Sequence, residues 1–180
     1  FWASWGEAAG DGAIADETTL VHSGGHAAKL TSGPSDNTRI TNGTPRVSPG
    51  CDYTLRFWTR GDGVNAGKYA LYDNTNGSYF KALGTTGVAG TTYTEVTYPF
   101  TAPAGCHEII VYLWGPSANG GVAYFDDVSL VGPVDLRGYY APSGVTYGVE
   151  GIGDGRNAVE VDGNNTWIQV GTRGLDAFWN

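Results

Sequence analysis

HEIIVYLWGPSANGGVAYFDDVSL, residues 107–130, reads as two strands joined by a turn. In its first run Ile109, Val111 and Leu113 fall on one side, and Glu108, Ile110, Tyr112 and Trp114 on the other. Successive side chains of a strand point to opposite faces, so this alternation marks a strand with one face buried. Gly, Pro, Ser and Asn between Gly115 and Gly121 supply turn chemistry. The second run, VAYFDDVSL at 122–130, is equally strand-like but holds two adjacent acids, Asp126 and Asp127. Strict alternation directs one of them to the apolar side. A bare carboxylate is costly there unless a cation or several donors satisfy it.

The same pattern extends outward along the chain. In DYTLRFWTR (52–60), Tyr53, Leu55 and Phe57 oppose Arg56, Trp58 and Arg60. In KYALYD (68–73), Tyr69 and Leu71 oppose Lys68, Ala70 and Tyr72. Further strands are expected at 26–32, 37–41, 78–83 and 93–101, separated by Gly, Asn, Asp and Pro turns. AIADETTL is the only short helical candidate, and it has no continuation. Eight strands at this density predict an all-β fold, a two-sheet antiparallel jelly-roll sandwich over residues 1–131. Leu55, Phe57, Val96, Phe100, Ile109, Val111 and Leu113 are its expected interior. Residues 132–180 read as a C-terminal β-rich extension, in which NAVEVDGNNTWIQVG (157–171) is expected to form a hairpin turning at Gly163–Asn165.

Charge and motifs narrow the function. The chain has 18 acidic and 10 basic residues, a net charge of −8, and so repels phosphate backbones; no nucleic-acid partner is expected. No run approaches the roughly 18 to 20 apolar residues of a membrane span. The sequence contains no Met, which points to a processed, trimmed or partial chain. There is no G-x-S-x-G, H-E-x-x-H or P-loop, and the glycine-rich GVEGIGDG (148–155) carries no Lys. His22 and His26 lie four apart across a loop and a strand, a spacing without metal geometry of its own. Adjacent Asp126 and Asp127 point apart rather than facing each other across a cleft, unlike the acids of glycoside hydrolysis. Catalysis is therefore not expected. Cys51 and Cys106 each follow a Gly just before a strand. They pair across one end of the fold in an oxidising compartment, or stay as two small buried residues. Asn42, Asn76 and Asn164 begin N-x-S/T triplets, the acceptor pattern for glycans in loops.

VSPGCDYTLRFWTRGDG (47–63), TYTEVTYPFTAPAG (92–105) and IIVYLWGPSANGGVAYFDDVSL (109–130) together resemble the β-sandwich carbohydrate-binding modules found beside cellulases and xylanases. SWGEAAGDG (4–12) and VHSGGHAAKL (21–30) are similar to that family's first loop and strand. The same sandwich recurs in bacteriophage structural and surface proteins. The resemblance implies a structural Ca2+ held by Asp126 or Asp127 with the 21–25 loop, which contains His22 and Gly24. The alternative is one acid in solvent and the other hydrogen-bonded to a turn. It also implies sugar stacking on Trp58 and Trp114, with Arg60, Tyr72 and Tyr112 as neighbours. Against that stands a covering of these aromatics by the extension or by another subunit. Two functions follow. One is a non-catalytic structural or adhesive subunit of an extracellular or virion assembly, a fibre, filament or capsid decoration. In it, residues 133–180 contact a copy of the chain or another subunit, or complete a sandwich short of the family's first strand. The alternative is a soluble polysaccharide-binding module of a larger glycoside hydrolase. Both place the chain outside the cell, on a cell surface or on a virion.

Overall fold

The computed structural model describes residues 5–42 and 45–132, and beyond them the backbone of 145–150 and 157–161. The chain divides into two compact units, Phe1–Val134 and Asp135–Asn180. The first unit contains β1 (Trp5–Ala8), β2 (Ala13–Glu17), β3 (Ala27–Thr31), β4 (Arg39–Asn42) and β5 (Asp52–Arg60). It continues with β6 (Lys68–Asp73), β7 (Ser78–Thr85), β8 (Thr94–Thr101), β9 (Ile109–Trp114) and β10 (Val122–Val131). A front sheet has the order β1-β4-β9-β6-β7, and a back sheet the order β2-β3-β10-β5-β8. Every pairing in both sheets is antiparallel. No helix occurs among the described residues. The fold is the expected all-β sandwich.

Alternation decides which faces meet. In β9, Ile109, Val111 and Leu113 are buried while Ile110, Tyr112 and Trp114 are only half-buried. Leu55 and Phe57 of β5 face them from the back sheet, also fully buried. Phe57 meets Tyr69 edge-on at 5.3 Å and Phe125 at 5.8 Å, joining the two sheets at the centre. Burying one such aromatic side chain contributes about 1.5–3 kcal/mol. Val96 and Phe100 pack against this core but stay half-buried, because β8 is the edge of the back sheet. Gly67 lets β6 begin close to that centre: a Cβ there would stand 2.6 Å from the Phe125 ring.

Three features were not given by the alternation. Ala13–Glu17, within the short helical candidate, is strand β2, because its backbone pairs with all of β3. β1, which the pattern did not single out, pairs with β4 from Trp5 to Ala8. Cys51 and Cys106 are free thiols rather than a disulfide. Cys106 is fully buried, and its Sγ contacts the Glu108 carbonyl oxygen at 3.5 Å. Burial, with the Asp73 carboxylate beside it, pushes the Cys106 thiol up to about 12.

In the second unit β11 (Val145–Glu150) and β12 (Asn157–Val161) form an antiparallel ribbon with one register shift, between Tyr147 and Val149. The NAVEV segment thus pairs with an upstream strand. The expected turn at Gly163–Asn165, with Asn164, lies outside the described residues.

Candidate functional site

The adjacent acids come first. Phe125 points into the core, and Asp126 therefore lies on the outer face of the back sheet. Asp127 has φ +46°, and the β10–β5 register shifts between Asp126 and Ser129. This bulge adds one residue, so Val128 returns to the core side and neither acid faces the interior. Asp126 is nonetheless buried, under the loop between β2 and β3. Its Oδ2 accepts the His22 N–H at 2.7 Å and the Ser23 N–H at 3.3 Å, and its Oδ1 accepts the Asp127 N–H at 2.8 Å. Asp127 accepts the His22 Nδ1–H and the Ser23 hydroxyl, each at 2.7 Å. The His22 hydrogen bond, aided by Ser23, holds the Asp127 carboxyl below its usual range.

All four carboxylate oxygens are thus occupied by donors. A Ca2+ at this place would share these oxygens with, or displace, the donors already on them. Among the described residues no cluster of three His, Cys, Asp or Glu is placed to hold a metal ion. Gly24 lies in the same loop with φ +62° and serves its turn.

That loop also determines what happens to Trp58 and Arg60. Both are on the outer face of the back sheet: Trp58 pairs with Asp126, and Arg60 with Tyr124. The His22 imidazole stacks on Trp58 with centroids 3.7 Å apart and planes 11° apart. Tyr93 meets the His22 ring edge-on at 5.8 Å, its hydroxyl donating to the Leu20 carbonyl at 2.8 Å. Arg60 lies over Tyr124 at 5.0 Å and Tyr93 at 6.0 Å. The chain's own loop thus lies against Trp58, and both Trp58 and Arg60 are half-buried.

Tyr72, Tyr112 and Trp114 occupy the opposite sheet. Register places Arg39, Trp114 and Lys68 in one row across β4, β9 and β6, and Thr41, Tyr112 and Ala70 in the next. Tyr72 pairs with Ile110 on β9 and with Tyr79 on β7. Ring centroids are 4.9 Å apart for Tyr72–Tyr79, 6.0 Å for Tyr79–Tyr112 and 6.5 Å for Tyr72–Tyr112. Tyr79 is 53% exposed, so this aromatic patch opens to solvent. At its end the Trp114 ring has Arg39 at 5.0 Å and Lys68 at 5.6 Å. Lys68 is buried and held by both Asp36 oxygens at 2.6 Å and by the Ser117 hydroxyl at 3.1 Å. The five residues expected to share one site therefore divide: three on the front sheet, two on the back. Arg39, Lys68 and Tyr79 join the front-sheet patch although the sequence did not single them out. Arg39 and Lys68 do stand at alternating positions in their strands, which was the available signal. Tyr79 was hidden because the register of β7 shifts twice.

The family model described as carbohydrate binding domain matches residues 1–120. The chain belongs to that family. No curated protein matches this carbohydrate-binding domain. Solved structures share its fold. One reported as CBM4 structure and function is 19% identical, with a TM-score of 0.54, covering 73% of this chain and 96% of that one. The CBM22-1 and GH10 modules of Clostridium thermocellum endo-1,4-beta-D-xylanase 10B, complexed with xylohexaose, are 15% identical with a TM-score of 0.57. That match covers 73% of this chain and 26% of the other. The enzymatically active domain of bacteriophage CBA120 tailspike protein 4 is 14% identical, with a TM-score of 0.58, covering 74% and 20%.

The remaining candidates are structural in their surroundings. Asn76 donates from its side chain to Asp73 at 2.7 Å and to the Ala104 carbonyl at 3.2 Å, which fixes the β6–β7 turn. Asn42 ends β4 and is half-buried. No helix among the described residues is long and apolar enough to cross a membrane.

Proposed function

We propose that this carbohydrate-binding domain is a non-catalytic module that holds a polysaccharide outside the cell, on the outer face of its front sheet. The observation that carries the reading is the open run of Tyr72, Tyr79 and Tyr112, set on three neighbouring strands with Trp114 at its end. Apolar ring faces stack on the C–H faces of pyranoses, and phenol hydroxyls bond sugar hydroxyls. Rings on β6, β7 and β9 give several such contacts side by side, which suits a chain rather than a single sugar. The back-sheet aromatics contribute nothing to this surface, since His22 lies on Trp58. Family membership supports the polysaccharide reading over the assembly reading, for which only a likeness in fold to a tailspike speaks.

The test is titration calorimetry with soluble xylan and β-glucan. Tyr112→Ala is expected to weaken binding about tenfold, the size of one lost ring contact of ~1.5 kcal/mol. Trp58→Ala should leave affinity unchanged in protein that remains folded. Equal affinity in wild type and Tyr112→Ala, or loss only in Trp58→Ala, would move the site off the front sheet.

A further inference from the structure

The charge on the front sheet runs against the charge of the molecule. The chain carries 18 acids against 10 bases, yet the outward positions of β4, β6 and β9 hold two cations and no carboxylate, and Glu108, on the same face just before β9, is paired with Arg46 at 3.7 Å. Asp73 on β6 is buried, on the core side. Glu7 on the edge strand β1 pairs with Ile40, a core-side position, out of line with Gly6 and Ala8, which extend the outer rows. Asp36, beside the patch, is spent on Lys68 through both of its oxygens.

Arg39 is different. Its only hydrogen bond among the described residues is from Nη1 to the Asn37 carbonyl at 3.3 Å, and it has no carboxylate partner there. It is half-buried on β4, lying over the Trp114 ring at 5.0 Å. Stacking on an indole holds a guanidinium flat while leaving its in-plane N–H donors free, the fork that binds a carboxylate by two parallel bonds. Tyr112 stands one row away, across from Thr41. A sugar ring on the tyrosines would thus bring an equatorial substituent to the guanidinium.

We propose that this face selects polysaccharides bearing uronic acids, with Arg39 pairing the sugar carboxylate while the neighbouring tyrosines support the rings. The inference rests on the front sheet being the polysaccharide site and adds the chemistry of what it prefers. Lys68 contributes by holding Trp114 from the other side. Its own charge is matched by Asp36.

The experiment uses the full chain with two probes, glucuronoxylan and polygalacturonate, each beside its carboxyl-reduced form of the same backbone. Binding to at least one acidic glycan is expected to exceed that to its reduced form by about tenfold, the worth of a charge-assisted hydrogen bond of ~1.5 kcal/mol. The preference should shrink as salt rises from 20 mM to 500 mM, because the ionic part is screened. Arg39→Gln should abolish the preference, weakening the acidic glycans more than the reduced ones until the two bind alike, and Arg39→Lys should restore it in part. Equal affinity for the acidic and reduced forms would overturn the preference and leave the polysaccharide reading standing, as would Arg39→Gln weakening both alike. Failure to bind any of the four, or neutral xylan and β-glucan, would overturn both.

Discussion

Asp126 is a buried carboxylate on a sheet face, and what stabilises it is three backbone N–H groups. Removing the acceptor strands those donors beneath the His22 loop, and a buried unsatisfied donor costs about 1–3 kcal/mol. Asp126→Ala should therefore lower the melting temperature by several degrees, whereas Asp126→Asn, which keeps one acceptor oxygen, should lower it less. A melting scan of both variants checks this; an unchanged Asp126→Ala would mean that the loop relaxes and finds water. Asp73 behaves similarly at the β6–β7 turn. Burial pushes its carboxyl up, but hydrogen bonds from Asn76, the Cys106 thiol and the Thr75 N–H outweigh this and leave it below the ordinary range. With Asp127 also lowered, the unfolded chain takes up protons that the folded chain refuses. Both contributions are complete above an unfolded carboxylate value of about 3.9 and fade as pH falls through the lower folded values. Melting temperature should accordingly drop below about pH 4, and Asp73→Asn should flatten part of that slope while costing stability at neutral pH.

At the scale of elements, β10 and the loop between β2 and β3 behave as one piece. The bulge at Asp127 presents two carboxylates, and His22 and Ser23 close on them with all four oxygens used. A chelator should consequently leave the melting temperature where it is, even after exhaustive dialysis. A fall that added Ca2+ reverses would show a cation held with these acids after all, since a ligand of the native state stabilises by mass action. Much of this level was legible in sequence. DYTLRFWTR and KYALYD coincide with β5 and β6, because strict alternation reports a strand with one face on the core. β1 and β2 escaped because four or five residues with weak alternation carry too little period, and their pairing with β4 and β3 is tertiary. The bulge escaped for a related reason: a residue in the left-handed region resets the alternation, and Asp127 does not announce that conformation as a glycine would. The site was legible as a set of aromatic and cationic residues on outward faces. It was not legible as a place, because alternation tells inside from outside but cannot say which sheet a strand joins, and Trp58 and Trp114 joined different ones.

For the whole molecule, the decisive boundary is where the sandwich stops needing chain. The family match ends at residue 120, before β10 begins. β10 lies in the middle of the back sheet, between β3 and β5, and brings Ala123 and Phe125 into the core. A chain cut at 120 loses that strand, exposes both neighbours' edges and opens a cavity against Phe57, and it should not fold. Among the described residues past β10, Gly132 packs tightly, since a Cβ there would lie 2.1 Å from the Tyr53 ring. Among the described residues the buried members of the core cluster fall between Ala28 and Phe125. A chain ending at Val134, the limit of the first compact unit, should therefore melt within a few degrees of the full chain and bind the same polysaccharides with the same affinity. Paired melting scans and titrations of the 1–134 and 1–180 chains decide it. Loss of folding or of binding in the shorter chain would make residues 135–180 part of the sandwich or of its site, and would return weight to a role in assembly.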